Sequence, residues 1–139
     1  MSYLGLDLGS KTLGVAISAS GIIASPLETF RFIENHYDLA VAHVGHLVHT
    51  HGIKTVVLGL PKHMNNDLGV RGKISETFKE MIENACDVDV ILWDERLSTQ
   101  TALRALIKGS QSRSTQKQKK DELAAVVILQ NYLDYQGRK

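Results

Sequence analysis

Apolar and small or polar positions alternate at the start of the chain. Leu4, Leu6 and Leu8 fall on one side of an extended segment, and Gly5, Asp7 and Gly9 on the other. That period of two predicts a strand over Tyr3–Leu8. A turn from Gly9 to Gly14 leads to a second apolar strand, Leu13–Ser18. Ile22–Phe30 reads as a third, kinked or ended near Pro26, which suits an edge position because proline cannot donate to a central ladder. Short turns between the three predict an antiparallel meander.

The period then changes. Tyr37, Ala40, Val41, Val44, Leu47 and Val48 follow helical spacing, and Gly52 is placed to cap that helix at its C-terminus. Lys54–Leu60 is a continuous apolar run, the pattern of a strand covered on both faces. Ile74, Phe78, Met81, Ile82 and Ala85 mark a second amphipathic helix, and Val88–Trp93 a further buried strand. A third helix is predicted from the N-cap residue Ser98 to about Lys108. A polar stretch, Ser110–Lys120, precedes a last apolar helix over Asp121–Tyr135. The predicted order is βββαβαβαα, an α/β fold whose five-stranded mixed sheet carries helices on both faces.

Bulk properties narrow the picture only a little. A length of 139 residues suits one domain, 1–139, with no linker or repeat in view. A hydrophobic share of 43% and a charged share of 22% are ordinary for a globular protein. The single cysteine, Cys86, excludes an internal disulfide and fits a reducing cytoplasm; its helical context predicts a buried structural thiol. Asp7 lies too early, with no basic flank, for a signal peptide. The longest apolar run, Leu123–Leu129, is too short to cross a bilayer. A net charge of +1 neither demands nor excludes nucleic acid, so local charge has to decide.

Three places carry candidate chemistry. Asp7 is a carboxylate in a strand otherwise built of leucine and glycine, where a buried charge needs a partner or a metal. Its same-face neighbours Gly5 and Gly9 are expected to leave room for a ligand; the alternative is an aspartate capping the turn that follows. Asp94-Glu95-Arg96 ends the last strand, where ligands of α/β sheets bind. Adjacent strand residues point to opposite faces, and the period does not say whether Asp94 or Glu95 faces a site. Asp121 opens the last helix, where capping is the stronger reading taken alone. Small Ala124 and Ala125 would nevertheless let that helix approach the sheet closely. Three carboxylates on three separate elements suit Mg²⁺ or Mn²⁺ better than zinc.

Lys108, Arg113, Lys117, Lys119 and Lys120 form a basic run with the composition of a mobile loop. It reads either as a solvated linker or as a contact for a phosphate backbone. His43, His46 and His49 recur every third residue, so they fan around a helix rather than converge. They are expected on a solvated face. Trp93 and Phe78 read as core.

Taken together, Gly5-Leu6-Asp7-Leu8-Gly9, Gly59-Leu60-Pro61, Asp94-Glu95-Arg96-Leu97-Ser98-Thr99 and Asp121-Glu122-Leu123-Ala124-Ala125 resemble the YqgF family, also called RuvX. The resemblance runs over nearly the whole chain in order and spacing. It implies an RNase H-like fold related to the RuvC Holliday-junction resolvases. It implies, as function, either junction resolution or maturation of the 5′ end of the 16S ribosomal RNA precursor. It further implies that Asp7, Glu95 and Asp121 are the catalytic, metal-binding carboxylates, and so selects Glu95 over Asp94. Asn65 and Arg71, in the Pro61–Gly72 loop, are implied to approach substrate. With Arg71, the candidate nucleic-acid contacts are Lys11, Arg96, Lys117, Lys119 and Lys120. The resolvases carry another acidic or metal-capable residue three positions after the last aspartate; here that position is Ala124, which weakens four-ligand junction chemistry.

The expectation is therefore a cytoplasmic, Mg²⁺- or Mn²⁺-dependent nuclease. It would act on structured RNA, with branched DNA as the alternative substrate, as a monomer or homodimer and without a membrane partner. Two readings from other classes compete. Asp7-x-Gly9 with Gly14 also resembles the phosphate loop of actin- and Hsp70-type ATPases, although those folds clamp nucleotide between two such domains. A non-catalytic RNA-binding module would instead tolerate loss of the carboxylates.

Overall fold

The computed structural model describes residues 2–60, 69–94 and 113–137, and for 113–122 the backbone path alone. Along the chain come β1 (Tyr3–Leu8), β2 (Thr12–Ser18), β3 (Ser25–Arg31), α1 (Tyr37–His51), β4 (Thr55–Leu60), α2 (Gly69–Ala85), β5 (Asp89–Asp94) and α3 (Arg113–Gly137). The helix expected over Ser98–Lys108 lies outside the described residues.

The strands make one sheet in the order β3-β2-β1-β4-β5. β1–β2 and β2–β3 are antiparallel, while β1–β4 and β4–β5 are parallel. The meander and the crossovers are thus as predicted. Alternation along each strand sorts the core into two layers. Leu4, Leu6, Leu8, Leu13, Val15, Val56, Leu58 and Val90 meet Ala40, Val44 and Leu47 of α1 and Phe78 and Ile82 of α2. On the other face Ala16 and Val57 meet Ala125, Ile128, Leu129, Tyr132 and Leu133 of α3. Helix α1 ends as its sequence predicts, with Gly52 left-handed at φ 63° and its N–H bonded to the Val48 carbonyl.

Several boundaries move. The third strand starts at Ser25 rather than Ile22, and both Ile22 and Ile23 are exposed in the preceding turn. Pro26 is tolerated because β3 is an edge strand, and the ladder shifts register at Val15/Ala16 to accommodate it. Helix α2 starts at Gly69, which holds φ 63°, five residues before the first apolar position that signalled it. The last helix reaches back to Arg113 through residues expected to form a loop. Glutamine and lysine are good helix formers, but a helix turn without apolar residues gives no periodic signal.

His43 departs from the solvated face assigned to it. Its ring stacks on Phe30 with centroids 3.9 Å apart and hydrogen-bonds the Glu28 carboxylate, so α1 grips the edge strand β3. Cys86 is half-buried and burial pushes its thiol up, which keeps it protonated and unreactive. No helix among the described residues is long and apolar enough to cross a membrane.

The tightest contact between layers is at Gly5. A Cβ there would stand 2.7 Å from the Leu129 Cβ and 3.0 Å from the Ala125 carbonyl oxygen. Neither atom can swing aside, because both belong to the helix frame. Gly5→Ala should therefore destabilise the protein by about 1–3 kcal/mol through overpacking. Chemical denaturation checks this; unchanged stability would mean that α3 sits less firmly on β1.

Candidate active site

β1 is the strand at which the sheet changes sense, antiparallel to β2 on one side and parallel to β4 on the other. Crevices for ligands open at the carboxyl ends of strands at such a switch point. The β1–β4 ladder stops at Leu6↔Leu58, while β4–β5 pairing continues to Leu60↔Asp94. β1 itself runs on past that rung to Leu8.

Asp7 stands at that end. Leu6 and Leu8 are buried in the layer under α1 and α2, so alternation turns Asp7 to the α3 face, where it is half-buried. Its cross-strand partner on β2 is Gly14. Continuing the parallel register one step past Leu6↔Leu58 brings Gly59 level with Asp7 on β4, and Gly59 pairs with Trp93 on β5. The carboxylate thus has a residue without a side chain on each flank. The expected source of that room was different. Gly5 is filled by α3, and a Cβ at Gly9 would lie 2.9 Å from Thr12 Oγ1 in the tight turn. The glycines that flank Asp7 are those on the neighbouring strands, which sequence spacing along one strand could not reveal.

The two candidates at the end of β5 separate by face. Val90 and Leu92 pack in the α1/α2 layer, whereas Ile91 and Trp93 pack on the α3 side. Asp94 follows the Val90–Leu92 parity, so it belongs to the face opposite Asp7. Glu95 and Arg96 lie outside the described residues, as does Asn65.

Helix α3 runs antiparallel to β1. Tyr132 meets Tyr3 with ring centroids 6.2 Å apart, and Ala125 and Leu129 bracket Gly5. From Gly5 to Asp7 the strand advances ~6.6 Å, and one turn back along α3 from Ala125 to Asp121 covers ~6 Å. The helical turn carrying Asp121 is therefore level with Asp7. Since α3 begins at Arg113, Asp121 is not at a helix start. Capping and dipole effects fade beyond the first turn, so the capping explanation for Asp121 falls.

Among the candidate basic contacts, Lys11 is exposed in the β1–β2 turn. Arg71 is exposed at the start of α2, and its Nη2 donates a 2.8 Å hydrogen bond to the Leu8 carbonyl, next to Asp7. Lys117, Lys119 and Lys120 lie on the helical path of α3 rather than in a loop. Trp93 is half-buried, not core; its ring meets Tyr132 and Tyr135, and its Nε1 is buried without a partner among the described residues. Among those residues no group of three histidine, cysteine, aspartate or glutamate side chains is placed to hold a metal.

A family profile described as "RuvX: Holliday junction resolvase" matches residues 1–135. The chain belongs to the RuvX family. Relatives with the provisional name pre-16S rRNA nuclease include one from Onion yellows phytoplasma (strain OY-M), 53% identical over 133 residues, covering 95% of this chain and 88% of the relative. Another, from Bacillus pumilus (strain SAFR-032), is 47% identical over 135 residues, covering 96% and 98%. In fold, this RuvX-family chain is similar to T. thermophilus RuvC in complex with Holliday junction substrate. That match has a TM-score of 0.67 at 14% identity and covers 99% of this chain and 96% of the other. A second Thermus thermophilus RuvC structure gives a TM-score of 0.61, also at 14% identity, covering 98% and 97%. The architecture is RNase H-like.

The position of Asp121 can be tested on stability alone. Replacing an N-cap aspartate by alanine costs ~1 kcal/mol, whereas Asp121→Ala two turns inside α3 should cost nothing, alanine being the better helix former, and stability should stay within ~0.5 kcal/mol or rise. Thermal and urea melts of the two proteins decide it. A loss of a full kilocalorie would restore the capping role.

Proposed function

We propose that this RuvX-family chain is a divalent-metal-dependent endonuclease, a single nuclease domain over residues 1–139. Its proposed substrate is structured RNA in the cytoplasm, at the 5′ end of the 16S ribosomal RNA precursor. The observation that carries the reading is Asp7: a half-buried carboxylate at the carboxyl end of β1, flanked by Gly14 and Gly59 on the face that α3 covers. The provisional names of the close relatives supply the substrate.

Asp7, Glu95 and Asp121 are the proposed metal ligands. Asp94 has the parity of Val90 and Leu92, on the face away from Asp7, which supports the choice of Glu95 that the family resemblance implies. Two strand spacings separate β1 from β5, roughly 9–10 Å, which carboxylates on both sides and metal–oxygen bonds of ~2.1 Å can close. All-oxygen donors suit Mg²⁺ or Mn²⁺. Such ions, when bound, activate water and stabilise the leaving oxygen of a phosphodiester. The protein's own part is to hold the carboxylates in a fixed frame and to orient the nucleic-acid backbone.

Helical register supports the second task. Arg113, Lys117 and Asp121 follow one another at four-residue steps along α3, with Lys120 beside them in sequence. From Arg113 to Asp121 the helix extends ~12 Å, a cationic arm for successive phosphates next to the carboxylates. Lys11, Lys119 and Arg96 are further proposed backbone contacts. The family description and the RuvC fold favour junction resolution as a second reading. Ala124 offers no fourth ligand three residues after Asp121, which favours the RNA substrate.

Purified protein with Mn²⁺ or Mg²⁺ should cut precursor RNA in preference to a four-way DNA junction, leaving 5′-phosphate and 3′-hydroxyl ends. Asp7→Asn should abolish cutting while the protein stays folded. Normal cleavage by that variant would remove Asp7 from the site.

A further inference from the structure

A second polar row lies outward of Asp7 on the same face of the sheet. Leu13 and Phe30 turn into the layer under α1, so Thr12 on β2 and Arg31 on β3 face the other way, with Gly14 and Asp7. Thr12 pairs with Arg31, Gly14 with Thr29, and Gly14 also with Asp7. The Thr12–Arg31 row therefore stands one pleat repeat, ~6.8 Å, beyond the row of Asp7 at the end of the sheet. Two strand spacings, ~9.6 Å, separate β3 from β1, which puts the Cα atoms of Arg31 and Asp7 roughly 12 Å apart.

The Thr12 hydroxyl occupies the place that a side chain at Gly9 would take, since a Cβ there would lie 2.9 Å from its Oγ1. It is thus the next polar group outward from Asp7 along β1. Arg31 is exposed at the last position of β3, and Lys11 is exposed in the turn beside it. This corner is held firmly. The Phe32 N–H donates to the Lys11 carbonyl at 3.0 Å, and the Asn35 N–H to the Ser10 carbonyl at 2.8 Å. Glu28, the acid of β3, is turned to the α1 face and bonded by His43. Among the described residues neither Arg31 nor the Thr12 hydroxyl has a hydrogen-bond or ion-pair partner.

We propose that Arg31 and the Thr12 hydroxyl form a phosphate site on the β3 side of Asp7, holding a backbone phosphate that flanks the one at the carboxylates. This rests on the reading that RNA is cut at Asp7. A guanidinium presents paired donors that match two phosphate oxygens, and the hydroxyl adds a third donor. The basic residues of α3 come to the substrate from a helix, whereas Arg31 comes from the edge of the sheet. Supports on two separate elements fix the direction of the strand as well as its place. A charge on an edge strand also deters pairing between sheets, but glutamate would serve that purpose equally well.

Binding of labelled precursor RNA to the full-length protein in EDTA, followed by fluorescence anisotropy over a range of salt, tests the site without any need for cutting. Arg31→Ala should weaken binding about tenfold and lower the slope of log K against log salt by about one. Thr12→Val removes an uncharged donor and should weaken binding about threefold with the slope unchanged. The double variant should lose less than the product of the two, because both groups hold one phosphate. In cleavage with Mn²⁺, Arg31→Ala should raise KM about tenfold with kcat within about twofold. Normal cutting together with unchanged affinity and slope in Arg31→Ala would overturn the site and leave the nuclease reading in place. Binding of Arg31→Glu at wild-type strength would make the charge a guard of the sheet edge. If the wild type binds but never cuts, and Arg31→Ala still lowers the slope, the nuclease reading fails and the phosphate site stands. A wild type that neither binds nor cuts would overturn both.

Discussion

The contact between β1 and α3 at Gly5 sets the geometry on which the site depends. Because Gly5 has no side chain, the backbone of α3 comes within contact of the backbone of β1. Close packing at that point fixes the helix along its axis as well as above the sheet, since Leu129 and the Ala125 carbonyl straddle one residue. Everything N-terminal to Ala125 on α3 is then set by helical rise, including the turn that carries Asp121. A larger residue at Gly5 would lift the helix and change the height of its acidic turn over Asp7. The glycine that looked like space for a ligand is instead the point where the helix is seated.

A second constraint is the change of strand sense at β1. Antiparallel pairing holds one flank of the strand to its last residue, and parallel pairing on the other flank ends earlier. Among the described residues, the last two positions of β1 are therefore paired on the β2 side and not on the β4 side. Gly14 pairs with Asp7 from β2, Gly59 lies level with it on β4, and Arg71 bonds the Leu8 carbonyl. Layers of leucine and valine below, facing α1 and α2, keep the sheet rigid beneath it. A carboxylate in such a place can be shared with a cation without disturbing the core.

The edges of the sheet are secured by different means. β3 carries Pro26 and a register shift, and His43 ties it to α1 by stacking on Phe30 and bonding Glu28. At the opposite edge Trp93 contributes to an aromatic cluster with Tyr132 and Tyr135. Tyr132 is held neutral, its phenol pushed up chiefly by burial. These contacts explain residues that pattern alone assigned to solvent or to core. Helical spacing said correctly that the three histidines do not converge, but it could not show that one of them turns inward against β3.

Periods of two and 3.6 in the sequence were enough for the order of elements along the chain, the change from meander to crossovers, and the capping glycine of α1, because burial on one face imposes those periods directly. Asp7 stood out for the same reason, as a charge in an apolar strand. The polar half of α3 was not readable, since a helix that buries nothing leaves no apolar period. That omission hid the fact that Asp121 lies two turns inside its helix. That Asp94 turns to the face away from Asp7 needed the parity of β5 relative to both core layers, which only the packed sheet defines. The places of Gly14 and Gly59 beside Asp7, and the bond from Arg71 (expected only as a substrate contact) to Leu8, were equally out of reach, because each meets β1 from another strand or helix. Local pattern determined which elements exist; the pairing of distant segments decided which residues share the end of β1.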